Sequence, residues 1–176
     1  AAAQSTVPPP PVAHHPSQNK SLVLTAAEHA LALILPHDLP TGKHVLALHF
    51  RGKINQQGQG LFYARYEEEG SKAKKIMLGT QFEATDARRM FPCWDEPSFR
   101  ARFQLTTVVP ENFMAVSNMP IEQEKKVTDG KEVRFGETPS MSRYLGVLCA
   151  GELDAIERDR DGVHMRVFTT KGKSER

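Results

Sequence analysis

Residues 80 to 103, TQFEATDARRMFPCWDEPSFRARF, hold the only tryptophan, Trp94, and four of the nine phenylalanines, Phe82, Phe91, Phe99 and Phe103. That aromatic density calls for burial of most of the stretch against a core. The same residues carry Glu83, Asp86, Asp95 and Glu96 against Arg88, Arg89, Arg100 and Arg102. Charges held near a core must be paired or used, because an unpaired buried ion is costly.

The apolar run Ile76 to Phe82 enters the stretch as a strand. Thr85 or Asp86 is placed to cap a short helical turn through Met90, and Pro92 stops it. Pro97 closes the acidic turn that follows. From there Ala101, Phe103, Leu105, Thr107 and Val109 alternate with Arg102, Gln104, Thr106 and Val108, the period of a strand. Gln81 and Glu83 therefore stand two apart at a strand end and face the same side. Such a position suits a binding site, although composition alone favours a plain ion pair of Glu83 with Arg88 or Arg89.

The flanks read as β-structure with short turns. Upstream, Leu22 to Thr25 and Ala30 to Leu35 are strand candidates; AAEHALALIL also has a helical reading, which Pro36 and the turn residues HDLPTG disfavour. His44 to Phe50 alternates, with Leu46, Leu48 and Phe50 on one face, which makes His49 a half-exposed sheet residue. QGQG at 57 to 60 lacks the third glycine and helix of a phosphate loop and reads as a tight hairpin turn. EEEGSKAKK reads as a solvated hairpin tip with an acidic and a basic arm.

Downstream, Phe113 to Val116 is a strand and Gln123 to Lys131 a hairpin tipped by Asp129 and Gly130. Met141 to Leu153 reads as one long apolar strand, and Val163 to Thr169 alternates after the turn DRDG. No helical period lasts more than two turns, so the fold class is mainly β. Residues 1 to 18, AAAQSTVPPPPVAHHPSQ, read as an Ala/Pro-rich tail or linker, with His14 and His15 as solvated bystanders. The folded domain then spans residues 19 to 176.

Composition narrows the function classes. The 176 residues are 39% hydrophobic and 25% charged, a globular balance, and the net charge of +2 comes without a basic stripe, which argues against nucleic acid as a partner. The longest apolar run, Ala30 to Leu35, is too short for a membrane span. Cys93 and Cys149 read as two reduced, mostly buried thiols, with a disulfide as the lesser alternative. Localisation stays open between periplasmic or exported, if a leader has been removed, and cytoplasmic.

The stretch TQFEATDARRMFPCWDEP closely resembles the N-terminal domain of the aminopeptidase N family, the gluzincin zinc aminopeptidases that include the puromycin-sensitive enzyme. LPHDLPTGKHVLALHFRGKINQQGQGLFYARY, ENFMAVSNMP and ETPSMSRYLGVLCAGEL extend the likeness, from about Leu22 to the C-terminus. The resemblance implies a saddle-like antiparallel β-sheet or sandwich domain, incomplete on its N-terminal side, packed against a thermolysin-like catalytic domain. It implies that Glu83 binds the free α-ammonium of a peptide substrate and that Gln81 lines the pocket for the first side chain. A fixed carboxylate makes a charge-assisted hydrogen bond to an ammonium and would be left unpaired by an internal amide, so the pairing discriminates strongly.

With the motif in register, substrate binding is the better reading of Glu83. Zinc and the water it activates belong to the longer parent enzyme. This chain has neither HExxH nor GAMEN, so it is expected to bind no cofactor and hydrolyse nothing alone, and KGKSER reads as the approach to a further domain. Two rivals stand beside this reading: a noncatalytic β-saddle scaffold of the same fold, and a free-standing β-sandwich binding module. For Asp95 and Glu96, a calcium or glycosidase pair is the weaker reading. As neighbours in a turn they are better suited to anchoring arginine side chains and backbone amides.

Overall fold

The computed structural model describes residues 23–27, 30–34, 37–68 and 70–174, with backbone alone before residue 37. The Ala/Pro-rich tail read over residues 1 to 18, with His14 and His15, lies outside the described residues. The chain divides into two compact units between His49 and Phe50.

In the first unit β1 (Val23–Ala27) and β2 (Ala30–Ile34) form an antiparallel hairpin, with Val23 opposite Ile34 and Ala27 opposite Ala30. The strand reading of ALALI holds over the helical one. His44 to Phe50 is a correction: residues 43–54 join no ladder, and Val45 is 99% exposed. Alternation gives a segment two faces, but a strand also needs a neighbour's backbone groups, and no described residue supplies them here.

The second unit contains β3 (Gly60–Glu67), β4 (Lys74–Gln81), β5 (Arg100–Ala101), β6 (Thr106–Val109), β7 (Met114–Ser117), β8 (Ile121–Val127), β9 (Gly130–Phe135), β10 (Met141–Ser142), β11 (Leu148–Gly151), β12 (Leu153–Arg160) and β13 (Val163–Thr170). A four-stranded sheet runs β3-β4-β11-β7 and a three-stranded sheet β6-β9-β8, while β5 pairs with β10 and β12 with β13; every one of these pairings is antiparallel. The core comes from both larger sheets: Val109, Val133 and Phe135 meet Ala115 and Ala150, with Leu78, Leu105, Phe113 and Met119 packed against them. The fold is thus mainly β, two sheets enclosing one apolar layer.

Two long strands expected from the sequence are broken. Between Arg100 and Leu105 the chain still exchanges backbone bonds with the segment from Phe135 to Ser142, through Phe103–Thr138 and Leu105–Phe135. That facing segment is two residues longer and contains Pro139, which has no N–H to donate, so the ladder splits into β5 and β6. The run Met141 to Leu153 breaks at a 3-10 turn, Arg143–Leu145. Arg143 is 5% exposed, and its guanidinium serves two carbonyls in another loop, which turns the chain out of the strand.

Hairpin tips follow local chemistry. Asp161 and Gly162 both take positive φ, 53° and 78°, between Arg160 and Val163, the primed turn that Asp-Gly favours. In the β3–β4 hairpin Glu67 faces Lys74, and Lys75 reaches Glu68 at 3.1 Å and Glu152 at 2.6 Å. QGQG is a bend and not a hairpin: Asn55 organises it, accepting the Gln57 N–H at 2.7 Å and donating to the Gln59 carbonyl at 2.6 Å.

Candidate functional site

Gln81 ends β4 opposite Gly60, and the chain leaves the sheet through Phe82 and Glu83. Phe82 is buried, while Gln81 and Glu83 are both exposed, so the two polar side chains share the outer side as alternation requires. The Glu83 backbone N–H donates to the Gln81 side-chain oxygen at 3.2 Å, and the Glu83–Ala84 peptide bond is cis. The structure therefore brings the two sequence-predicted residues together.

Beneath them the turn is held at both ends. The Phe82 ring meets Phe91 edge-on at 6.1 Å, and Phe91 meets Phe103 at 6.5 Å. The Asp86 N–H donates to the Phe82 carbonyl at 2.9 Å, closing the turn that contains Glu83. A 3-10 turn, Ala87–Arg89, follows. Asp86 occupies its cap position without a side-chain cap; its carboxylate instead takes Arg89 Nε at 2.5 Å. Gly60 makes room for that arginine, since a Cβ there would lie 2.5 Å from Arg89 Cβ.

The acidic turn behaves as an anchor. Asp95, 6% exposed, accepts both the backbone N–H of Arg88 at 2.9 Å and its Nε at 3.0 Å on one oxygen. Arg143 Nε stands 3.8 Å from the other oxygen, and Arg143 Nη2 donates to the carbonyls of Glu96 and Phe99. Ser142 Oγ donates to the Pro97 carbonyl at 2.6 Å. Arg88 and Arg89 are thus engaged with Asp95 and Asp86, and among the described residues no ion pair reaches Glu83. Arg143 carries much of this anchoring and escaped sequence reading; one cation bordering an apolar run was the only local signal.

Trp94 is a correction. It is 76% exposed and Phe99 55% exposed, although the backbone between them is clamped from below. Burial goes to Phe82, Ala87 and the Asp95–Arg143 pair, and the clamp turns the two aromatics outward. Beside Trp94, Cys93 is half-buried, and loss of hydration, aided by the Asp95 charge, pushes its thiol up to about 11. Cys149 is also free, half-buried and raised by burial.

Two hollows lie elsewhere in this unit. A groove of about 490 Å³ runs between β7 and the β12–β13 ribbon, and an apolar cavity of about 90 Å³ lies among Phe82, Phe91, Phe103, Met119 and Met141. Neither is lined by Gln81 or Glu83. No group of histidine, cysteine, aspartate or glutamate able to hold a metal occurs among the described residues, and no helix among them is long and apolar enough to cross a membrane.

Residues 10–145 match the Peptidase M1 N-terminal domain model. The chain is 46% identical to Aminopeptidase M1-D of Oryza sativa subsp. japonica over 148 residues, 84% of this chain and 17% of that protein. It is 41% identical to Aminopeptidase N of Acetobacter pasteurianus over 151 residues, 85% of this chain and 42% of that protein. It is 38% identical to Puromycin-sensitive aminopeptidase of Caenorhabditis elegans over 148 residues, 82% of this chain and 16% of that protein. The chain thus spans a minor part of these relatives, and with most of its length matched it belongs to the peptidase M1 N-terminal domain family.

Proposed function

We propose that residues 19 to 176 form the N-terminal substrate-binding domain of a longer zinc-dependent aminopeptidase, which releases N-terminal amino acids from peptides. Glu83 holds the substrate α-ammonium and Gln81 lies beside the first side chain. The observation that carries this reading is the pairing pattern: Asp86 and Asp95 take Arg89 and Arg88, which leaves the exposed Glu83 carboxylate for an external cation. A turn pinned at both ends fixes the point from which the carboxylate projects before the ligand arrives, so less backbone entropy is lost on binding.

The described residues do not fit a zinc site. The metal, with the Lewis acidity it supplies, is assigned to the remainder of the longer protein. Gln81 and Glu83 stand on open surface, so a pocket around the substrate needs walls from another body. The outward-facing Trp94 and Phe99 fit contact with that body, since rigidly presented aromatics are typical anchors of an interface. The partner is the downstream catalytic domain.

The test is hydrolysis of an aminoacyl anilide by this chain and by the longer protein, each with zinc and then with chelator. The expected result is activity in the longer protein alone, abolished by chelator. A folded, zinc-loaded longer protein without activity would favour the scaffold role, and metal-dependent turnover by this chain alone would overturn the division of labour.

A further inference from the structure

We infer that Asp95 is a positioning residue for Glu83, a buried carboxylate that fixes the turn from which Glu83 projects; this rests on the amine-anchor role given to Glu83 above. Glu83 is exposed and among the described residues no ion pair holds its carboxylate, so the backbone beneath it sets the point from which that side chain projects. The backbone is gripped at two points. On the near side Phe82 is buried against Phe91, and its carbonyl accepts the Asp86 N–H. On the far side Asp95 takes the Arg88 N–H at 2.9 Å and Arg88 Nε at 3.0 Å, while Arg88 Nη2 donates to the Asp95 carbonyl at 3.2 Å.

Three hydrogen bonds between two residues define an orientation as well as a distance. Asp95 is itself fixed by the sheet: Arg143 and Ser142, adjoining in the chain, hold the carbonyls of Glu96, Phe99 and Pro97. A line of contacts therefore runs from β10 through the acidic turn to Arg88 and the Glu83 turn. Stability does not require this particular pairing, because a buried carboxylate and its cation are often replaceable by apolar packing at little cost. What apolar packing would not reproduce is the grip on a particular backbone N–H five residues beyond Glu83. A displacement of about 1 Å in a group that positions substrate costs on the order of a hundredfold in rate.

The experiment is a double-mutant cycle in the longer enzyme. It compares wild type, Asp95→Asn, Glu83→Ala and the double variant, with kcat/KM read on an aminoacyl anilide and on its N-acetylated analogue. Asp95→Asn is expected to lower kcat/KM for the free-amine substrate by roughly tenfold to a hundredfold, chiefly through KM, and to leave the acetylated substrate unaffected. Added to Glu83→Ala, it should cost nothing further, because the group it positions is gone.

Equal losses on both substrates, losses that add in full, or no loss at all would overturn the positioning role. If Glu83→Ala alone left the ratio of free to acetylated rates unchanged, the amine-anchor reading itself would fail, and the positioning role with it. Should Asp95→Asn not fold, Arg88→Lys keeps the backbone N–H and the charge but removes the Nε and Nη2 bonds. A smaller loss of the same sign, again absent in the Glu83→Ala background, is then expected, and no loss would overturn the proposal.

Discussion

Glu83 donates its backbone N–H to the side-chain oxygen of Gln81 at 3.2 Å, so the two residues form one exposed unit at the end of β4. On the amine-anchor role proposed for Glu83, Glu83→Ala in the longer protein removes one partner of a charge pair that substrate binding desolvates. The expected loss is about 2 to 5 kcal/mol of transition-state binding. It should fall on substrates with a free amine, and an unchanged ratio of free-amine to acetylated kcat/KM would remove Glu83 from amine recognition.

Trp94 is the only tryptophan and faces outward, whereas Phe135 is 2% exposed in the core between the two sheets. Trp94→Ala in this chain should change stability by less than about 0.5 kcal/mol, and Phe135→Ala should cost about 3 to 5 kcal/mol. Denaturant melts of both variants measure the contrast. The indole emission of the native chain should resemble that of a solvated tryptophan, and a blue-shifted emission would place Trp94 in a core.

Burial raises the Cys93 thiol to about 11, so little of it is thiolate near neutral pH. Its reaction with a disulfide reagent at pH 8 should be about a hundredfold slower than that of a free cysteine, and faster again as pH rises toward 11. Mass spectrometry after timed labelling reads this position directly. Labelling of native Cys93 at the rate seen in denaturant would contradict its buried setting.

The hydrogen bond from Lys75 lowers the Glu152 carboxyl below its ordinary 4.5 and, reciprocally, raises Lys75. For a lowered carboxyl, the stabilisation is fully present above the unfolded value near 4.5 and is lost as pH falls through the folded value. For the raised lysine, it is present below 10.5 and lost as pH rises beyond the folded value. The Tm difference between wild type and Glu152→Gln should therefore be constant from about pH 6 to 9 and shrink below about pH 4.5. A difference that does not vary with pH would mean that Lys75 does not depend on the Glu152 charge.

Legibility in the sequence followed the range of the interaction. Asp161-Gly162 announces its turn because the needed φ values belong to those two residues, and the sequence of β13 alternates because a strand presents two faces, whereas LDAIERDR of β12 carries no such alternation and does not read as a strand. Gln81 and Glu83 came from a strand end and a motif, and their shared exposure follows from the period of two along a strand. The anchoring use of Asp95 was readable as a charge in a Trp–Pro turn, but its partner Arg143, met across the fold, was not.

Composition, turn chemistry and strand period determined a mainly β chain, its hairpins and a polar pair at the end of β4, all properties of residues near one another in sequence. Tertiary structure decided that Trp94 faces outward, that Arg143 is buried under the acidic turn, and that His44 to Phe50 joins no ladder. Each of those outcomes depends on which backbone carbonyl, ring or strand edge lies nearby in space. Distant segments supply those neighbours, and local pattern does not encode them.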